Sequence, residues 1–238
     1  MKKAIIIGAS SGIGKALAEV FSRNNIVVGL ASRRIGLLNQ LKKDLPSESY
    51  VKAIDITNTG HAMEQLCELI KEMNGVDLIV INAGCGYINP DLDFAKEIAT
   101  IEVNVSGFTA MLNVALRHMC SQGFGHIVGI SSLSALRGGY DAPAYSASKA
   151  YVSNYLEAVR IRVKKEKLPI TVTDIKPGFV DTAMAQGEGL FWVAAPEKAA
   201  NQIYRAILKK RKHTYITKRW RLIAWVLKIM PEWIYQKL

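Results

Sequence analysis

The 238-residue chain predicts an α/β protein in which helices wrap a parallel sheet. Three observations carry that expectation. Short apolar β-type runs alternate with helical stretches from residue 3 to about residue 216, as parallel crossover units require. The first strand meets the first helix through a glycine turn. Polar residues also recur where strands end, and ligands of wound sheets bind at those carboxyl ends.

The first strand is the apolar run Lys3 to Ile7, which leads into Gly8-Ala9-Ser10-Ser11-Gly12-Ile13-Gly14 and a helical stretch from Lys15 to Arg23. Glycines let a backbone approach a phosphate closely, and a helix N-terminus offers unpaired N–H groups with partial positive charge. The Gly-x3-Gly-x-Gly spacing departs from the G-x-G-x-x-G fingerprint, so the strand-to-helix context is what points to phosphate binding. A second strand, Ile26 to Ala31, ends at Ser32-Arg33-Arg34. No acid stands there to hold a ribose diol, whereas arginine suits a 2′-phosphate; the plainer reading is two arginines solvating a loop.

Further along, a helix near Leu37 to Asp44, a strand at Tyr50 to Ile54, a helix at Thr59 to Met73 and a strand at Asp77 to Ile81 continue the alternation. Asp55 follows the third strand and Asn82-Ala83-Gly84 the fourth; either is a turn-former or cap by default. Phe94 to Cys120 reads as one long helix interrupted near Asn104, Ser106 and Gly107, residues unfavourable inside helices. A fifth strand, Gly125 to Ile130, ends in Ser131-Ser132. A loop, Leu133 to Pro143, precedes a helix running to about Lys167. Ile170 to Ile175 is a sixth strand, ending in Lys176-Pro177-Gly178-Phe179-Val180-Asp181-Thr182. Ala183 to Val193, with Gly187, Gly189, Leu190, Phe191 and Trp192, suggests a mobile apolar lid. Pro196 opens a helix to Lys210, and His213 to Ile216 is a possible last strand.

The helix after Pro143 begins with Tyr145-Ser146-Ala147-Ser148-Lys149. Residues four apart share a helix face, so the Tyr145 hydroxyl and the Lys149 ammonium can point into one cleft. A nearby cation stabilises a phenolate and brings a phenol toward the range that acid–base chemistry needs. By itself such a pair is most often plain helix surface.

Composition narrows the class. Half the residues are hydrophobic, enough for a substantial core in one domain. Cys67, Cys85 and Cys120 are far apart and match no metal or disulfide spacing, which fits inert thiols in a reducing compartment. Met1-Lys2-Lys3 and the short apolar run Ala4 to Ile7 do not make a signal peptide, so a cytoplasmic location is expected. Residues 190–238 hold eleven Lys and Arg against Glu197 and Glu232, so about nine of the eleven excess positive charges belong to the last fifth of the chain.

Taken in order, the glycine turn, Asp55, Asn82-Ala83-Gly84, Asn104, Ser132, Tyr145 with Lys149, and Pro177-Gly178 with Thr182 resemble the short-chain dehydrogenase/reductase family over roughly residues 3 to 216. Ser132 stands thirteen positions before Tyr145, the spacing this family shows, which selects it over Ser131 and Ser134. The resemblance implies a Rossmann-type doubly wound parallel sheet of about seven strands and a nicotinamide cofactor across its top. It implies cofactor contacts from Gly8, Ser10, Ser11, Gly12, Ile13, Gly14, Arg33, Arg34, Asp55, Ile56, Asn82, Ala83, Gly84, Pro177, Gly178, Val180 and Thr182, with Tyr145 and Lys149 shared between cofactor and chemistry. Asp55 would meet the adenine and Thr182 the nicotinamide carboxamide. Arg33, at the discriminating position, implies NADP(H) preferred with NAD(H) possible. Asn104, Ser132, Tyr145 and Lys149 would form a proton relay that interconverts a carbonyl and an alcohol. Departures from the family pattern are Ile7 and Ile81, where Thr and a second Asn are common, and the lack of a basic residue in the glycine loop. Relatives are commonly dimers or tetramers built on the helices near 94–120 and 143–167.

Residues 1–217 therefore read as the binding and catalytic unit and 218–238 as a helical extension. From Lys218 to Met230 the extension is apolar with Arg221 and Lys228 seven apart, Pro231 breaks the helix, and three of the four tryptophans lie after residue 219. About a dozen apolar positions interrupted by charges cannot span a bilayer. Two placements follow. The helix packs over the pocket or a subunit interface; or, with Lys209-Lys210-Arg211-Lys212, residues 209–238 seat the protein on an anionic membrane surface. The second suits a small apolar carbonyl or alcohol, sterol-like or fatty-acyl. The competing class is a non-catalytic cofactor-sensing or nucleic-acid-binding module. It fits a basic protein, but the chain carries the Tyr and Lys that such modules lack and no nucleic-acid motif, so no nucleic-acid partner is expected.

Overall fold

Strict alternation of inward and outward side chains along the first strand sets the layout of the computed structural model, which describes residues 1–184 and 191–237. In β1 (Lys3–Ile7) Ile5 and Ile7 enter the core on one sheet face, and Ala4 and Ile6 the core on the other. A strand buried on both faces belongs in the middle of a helix-covered parallel sheet. Around it stand β2 (Val27–Ser32), β3 (Ser49–Ala53), β4 (Leu78–Ile81), β5 (Gly125–Ile130), β6 (Ile170–Pro177) and β7 (His213–Ile216). All seven are parallel in the order β3-β2-β1-β4-β5-β6-β7.

One face is covered by α1 (Gly12–Arg23), α2 (Ile35–Asp44) and α7 (Pro196–Leu208), whose Leu17, Phe21, Leu38 and Ile203 are fully buried. The other is covered by α3 (Thr59–Glu72), α5 (Phe108–Gln122) and α6 (Pro143–Lys165) through Leu66, Leu69, Met111 and Leu156. The chain reverses direction across the sheet between β1 and β4. That point, at the carboxyl ends of those strands, is where a crevice opens.

Element boundaries shift by a few residues from the sequence expectation. α1 begins at Gly12, so the later glycines of the turn are its first residues. β6 runs two residues further, to Pro177, because Lys176 and Pro177 pair with Tyr215 and Ile216 of β7. The long helix divides into α4 (Phe94–Ile101), a π-helical turn Glu102–Gly107 and α5. The turn falls on Asn104, Ser106 and Gly107, the interruption expected there; π turns of this kind often occur at functional sites. This continuous run, Phe94–Gln122, is long and apolar enough to cross a membrane by length and composition, but half of its most apolar window is buried in the protein.

The extension forms α8 (Trp220–Ile229) and, beyond Pro231, a single turn α9 (Glu232–Tyr235). α8 packs against the chain: Trp220 and Ala224 are buried and meet Leu133, Leu136, Phe179 and Ile223. Gly187, Gly189 and Leu190 of the expected lid lie outside the described residues.

Candidate active site

At the end of β1 the backbone turns at Gly8 with φ of +90°, where a Cβ would lie 2.6 Å from the Ala83 amide nitrogen. A Cβ on Gly14 would lie 2.1 Å from the Gly8 carbonyl oxygen. Glycine at both positions lets β1, α1 and the β4 loop close together. Asn82 locks that junction: its Nδ2 donates to Gly8 O at 2.8 Å, and the Asn82 and Ala83 amides donate to Ile7 O at 2.9 and 2.8 Å. A Cβ on Gly12 would lie 2.9 Å from Thr182 Cγ2, so the loop after β6 arches over the start of α1.

The result is a helix N-terminus flanked by a cation. Arg34 donates to Ser10 Oγ from Nε and Nη2 at 3.1 and 2.8 Å, and to Ser11 Oγ at 2.7 Å. Both arginines after β2 are exposed. An exposed guanidinium held beside the free amides of a glycine-lined helix start fits the phosphates of a dinucleotide. Asp55 is exposed at the end of β3, its carboxylate accepting from the Thr57 amide and hydroxyl at 3.1 and 2.8 Å. Of the expected set, Ile56 and Val180 bury their side chains in the two core clusters. Ile13 packs partly against the second cluster.

Across the crevice, α6 places Tyr145 and Lys149 one turn apart. Lys149 is 4% exposed, its Nζ donating to Ile130 O at 3.2 Å and lying 5.7 Å from the centre of the Tyr145 ring. Burial brings its ammonium down to about 8; the buried carboxylate of Asp174 opposes that fall. Tyr145 is pushed up by burial, and the neighbouring Ser132 hydroxyl acts in the opposite direction. The geometry thus brings together Ser132, Tyr145 and Lys149, which lie on two separate elements.

Asn104 serves as a brace. Its Oδ1 accepts from the Cys85 amide at 2.9 Å, while Nδ2 donates to Cys85 O at 2.7 Å and Ser148 Oγ at 2.9 Å. A Cβ on Gly84 would meet Lys149 Nζ at 3.0 Å and Asn104 Oδ1 at 3.1 Å, so both polar atoms converge on the space above Gly84. The segment so braced carries Gly86, against which the Tyr145 ring packs: a Cβ there would lie 2.5 Å from Tyr145 Cδ2. Gly86 went unnoticed in the sequence, and Ser148 was given no role there. Gly86 follows Asn82-Ala83-Gly84 by only two residues, and that proximity was the available signal. Burial raises the Cys85 thiol, in keeping with an inert cysteine.

Behind Lys149, Asp174 on β6 accepts from Ser131 Oγ and from Ser153 Oγ at 2.8 Å, and pairs with Lys176. This buried cluster ties the strand end that carries Ser132 to the helix that carries Lys149. On the outer side, Trp220 of α8 packs against Phe179, Phe191 and Trp192 with ring centres 5.4, 5.0 and 5.7 Å apart. Arg137, five residues after Ser132, donates to Leu227 O at 2.9 Å and also to Met230 O, and Tyr235 donates to Gly138 O at 2.7 Å. The extension therefore roofs the loop that follows Ser132.

Comparison with known proteins identifies the family and supports the fold. The short chain dehydrogenase family model matches residues 2–190. An uncharacterized oxidoreductase of Myxococcus xanthus is 34% identical over 188 residues, covering 77% of this chain and 74% of the relative. The dehydrogenase/reductase SDR family protein 7-like of Drosophila melanogaster is 29% identical over 259 residues, covering 98% of this chain and 78% of that protein. Among solved structures, a short-chain dehydrogenase/reductase from Burkholderia phymatum in complex with NAD superposes with a TM-score of 0.87 at 20% identity, covering 94% of this chain and 92% of the other. An alcohol dehydrogenase from Thermococcus sibiricus complexed with 5-hydroxy-NADP superposes with a TM-score of 0.78 at 24% identity, covering 91% and 96%. The chain belongs to the short-chain dehydrogenase/reductase family and is an NAD(P)-dependent oxidoreductase of that family.

Proposed function

We propose that this protein interconverts an apolar carbonyl compound and its alcohol, with NADP(H) as the preferred cofactor and Tyr145 as the acid–base group. The observation that carries the reading is the pairing of Tyr145 with Lys149 one helical turn away, the lysine buried and its Nζ 5.7 Å from the centre of the Tyr145 ring. The nicotinamide that the crevice would hold would supply the hydride for the carbonyl carbon. Ser132 donates a hydrogen bond to the carbonyl oxygen, and Tyr145 gives that oxygen its proton as negative charge develops on it. The Lys149 ammonium stabilises the phenolate left behind and returns a proton along the Asn104 side of the crevice. In the alcohol-oxidising direction Tyr145 accepts the proton instead.

Gly8, Gly12 and Gly14 would admit the pyrophosphate, Arg33 and Arg34 the 2′-phosphate, Asp55 the adenine and Thr182 the carboxamide. NADP(H) preference is supported by the Arg34 fork over Ser10 and Ser11 and by Ser32 in place of an acid. An apolar substrate is supported by the aromatic side chains at the outer wall: Phe191 and Trp192 stay 48% and 39% exposed. We place the reaction in the cytoplasm, where Cys67, Cys85 and Cys120 stay reduced, and the assembly as a homodimer or homotetramer built on α4, α5 and α6.

The test is oxidation of NADPH and NADH by purified protein against ketones and aldehydes of increasing hydrophobicity. Turnover that prefers NADPH, rises with apolar size and vanishes in Tyr145→Phe is expected. Cofactor binding with no carbonyl reduced at any chain length would overturn the reading.

A further inference from the structure

One face of α8 is packed and the other is bare. Trp220 and Ala224 are buried, whereas Leu222, Trp225, Val226 and Ile229, at i, i+3, i+4 and i+7, point outward. Leu222, Trp225 and Ile229 are each at least 60% exposed, and Trp233 of α9 adds a second exposed indole at 64%. A row of large apolar side chains this exposed marks a surface that meets something else. The segment from Lys218 to Lys237 is also strongly basic: Lys218, Arg219, Arg221, Lys228 and Lys237 are exposed, with Glu232 the sole acid in that stretch. Arg221 and Lys228, seven apart, border the apolar row along one edge.

We infer that the outer face of α8 and α9 docks on an anionic phospholipid surface, with Leu222, Trp225, Val226, Ile229 and Trp233 in the headgroup–acyl boundary and the flanking cations on the lipid phosphates. A ten-residue helix is about 15 Å long, half a bilayer core, so it lies in the interface and does not cross it. Indoles favour that depth because one edge is apolar and the other carries an N–H. Charge decides between lipid and a second copy of the chain. A twofold pairing would set this face against itself, and with it the Arg221 and Lys228 that border it in each copy. An anionic lipid surface offers the opposite sign. The Lys209–Lys212 cluster lies at the start of β7 and α8 follows its end, so the cations that matter here are those of the extension itself.

The position of the face gives the docking a use, and this part rests on the function proposed above. α8 is bonded to the loop after Ser132 through Arg137 and lies against Gly178 through Trp220. A bilayer under α8 therefore adjoins the mouth of the crevice, where a membrane-dissolved carbonyl compound would enter without crossing water.

The experiment is co-sedimentation of the full-length protein with phosphatidylglycerol vesicles and with phosphatidylcholine vesicles, at low and high salt. Sedimentation velocity runs in parallel, and NADPH consumption is followed with a water-soluble carbonyl in the absence of vesicles. The expected result is binding to phosphatidylglycerol that weakens with salt, is lost in Trp225→Glu/Trp233→Glu, and falls about thirty-fold in Arg221→Gln/Lys228→Gln. These residues are exposed, so the variants keep the fold and the vesicle-free turnover of the parent. Three results would overturn the inference: no binding to phosphatidylglycerol, equal binding by the Trp double variant, or a dimer that the Trp substitutions convert to monomer without any vesicle binding, which would assign the face to a second copy. Vesicle binding with no carbonyl turnover would instead count against the reductase reading and leave the docking intact.

Discussion

Trp220 lies so close to Gly178 that a Cβ on the glycine would sit 2.2 Å from Trp220 Cε2. The contact joins the C-terminal extension to the loop that begins the outer wall of the crevice. Gly178 has no side chain because the indole occupies that volume, and the indole is 2% exposed because the loop closes over it. Gly178→Ala forces one of them to move. It should cost about 1–3 kcal/mol of stability by overpacking, and Trp220→Ala about 3–5 kcal/mol by cavity formation. Urea denaturation measures both. Hydrogen exchange should show residues 220–235 losing protection first in Trp220→Ala; unchanged protection there would mean that α8 is held by Arg137 and Tyr235 alone.

Removing the Tyr145 hydroxyl should separate chemistry from binding. Tyr145→Phe keeps the ring against Gly86 and is expected to lower kcat by about 10²–10⁴-fold, with NADPH affinity by fluorescence within a few-fold of the parent. Ser132→Ala should lower kcat as well and raise the apparent pKa of Tyr145, since the hydroxyl that opposes the effect of burial is gone.

Cofactor choice should follow Arg34. Its guanidinium is oriented by Ser10 and Ser11 before any ligand arrives. A charge-assisted bond of the usual strength, about 1.5–3 kcal/mol, corresponds to about 10–100-fold in affinity. Arg34→Ala should weaken NADPH by about that factor and leave NADH nearly unchanged in titration calorimetry. Equal losses for both cofactors would place Arg34 on the shared pyrophosphate.

Lys149 gives the reaction an alkaline limit. Burial holds its ammonium near 8 against an ordinary 10.5, so it is charged below that value and loses its proton above it. Carbonyl reduction that relies on the cation should decline as pH passes through about 8. For stability the same depression means that the folded state carries the cost of a buried ammonium below about 8. The cost is relieved as pH rises toward 10.5, where the unfolded chain also loses the proton. Lys149→Met should therefore be inactive yet at least as stable as the parent at pH 7 by thermal melting.

His126 sets an acid limit on the fold that is independent of the chemistry. It is buried on β5 with Nε2 2.8 Å from Thr173 Oγ1, and burial lowers it from 6.5 to about 4. Between those values the unfolded chain binds a proton that the native state refuses, so stability is full above 6.5 and falls as pH drops toward 4. The loss should approach about 3 kcal/mol, and His126→Gln should flatten that part of the stability–pH curve in chemical denaturation. A curve of the same slope in the variant would remove His126 as the cause.

How much of this was legible in the chain depended on the range of the interactions involved. Alternation of apolar strands and amphipathic helices is written locally, so the parallel sheet and nearly every element could be read from residues 3 to 216. Ser132, Tyr145 and Lys149 were legible because short motifs at fixed spacing mark them. The resemblance names Ile56 and Val180 as cofactor contacts; that their side chains pack into the core depends on what lies behind each strand end. Gly86 escaped notice because a glycine states nothing about the ring that leans on it.

What the sequence determined alone was therefore what propensity, periodicity and charge encode: an α/β sheet, a glycine turn at a helix start, a tyrosine and a lysine on one helix face, and a basic, tryptophan-rich end. Tertiary structure alone decided which face of that end is buried, because Trp220 finds its cavity against Gly178, 42 positions earlier in the chain. It also decided that Asn104 spends its amide on Cys85 and Ser148, and that Asp174 is buried behind Lys149. Such pairings join residues far apart in sequence through packing and desolvation, and no local pattern records which partner a buried group will meet.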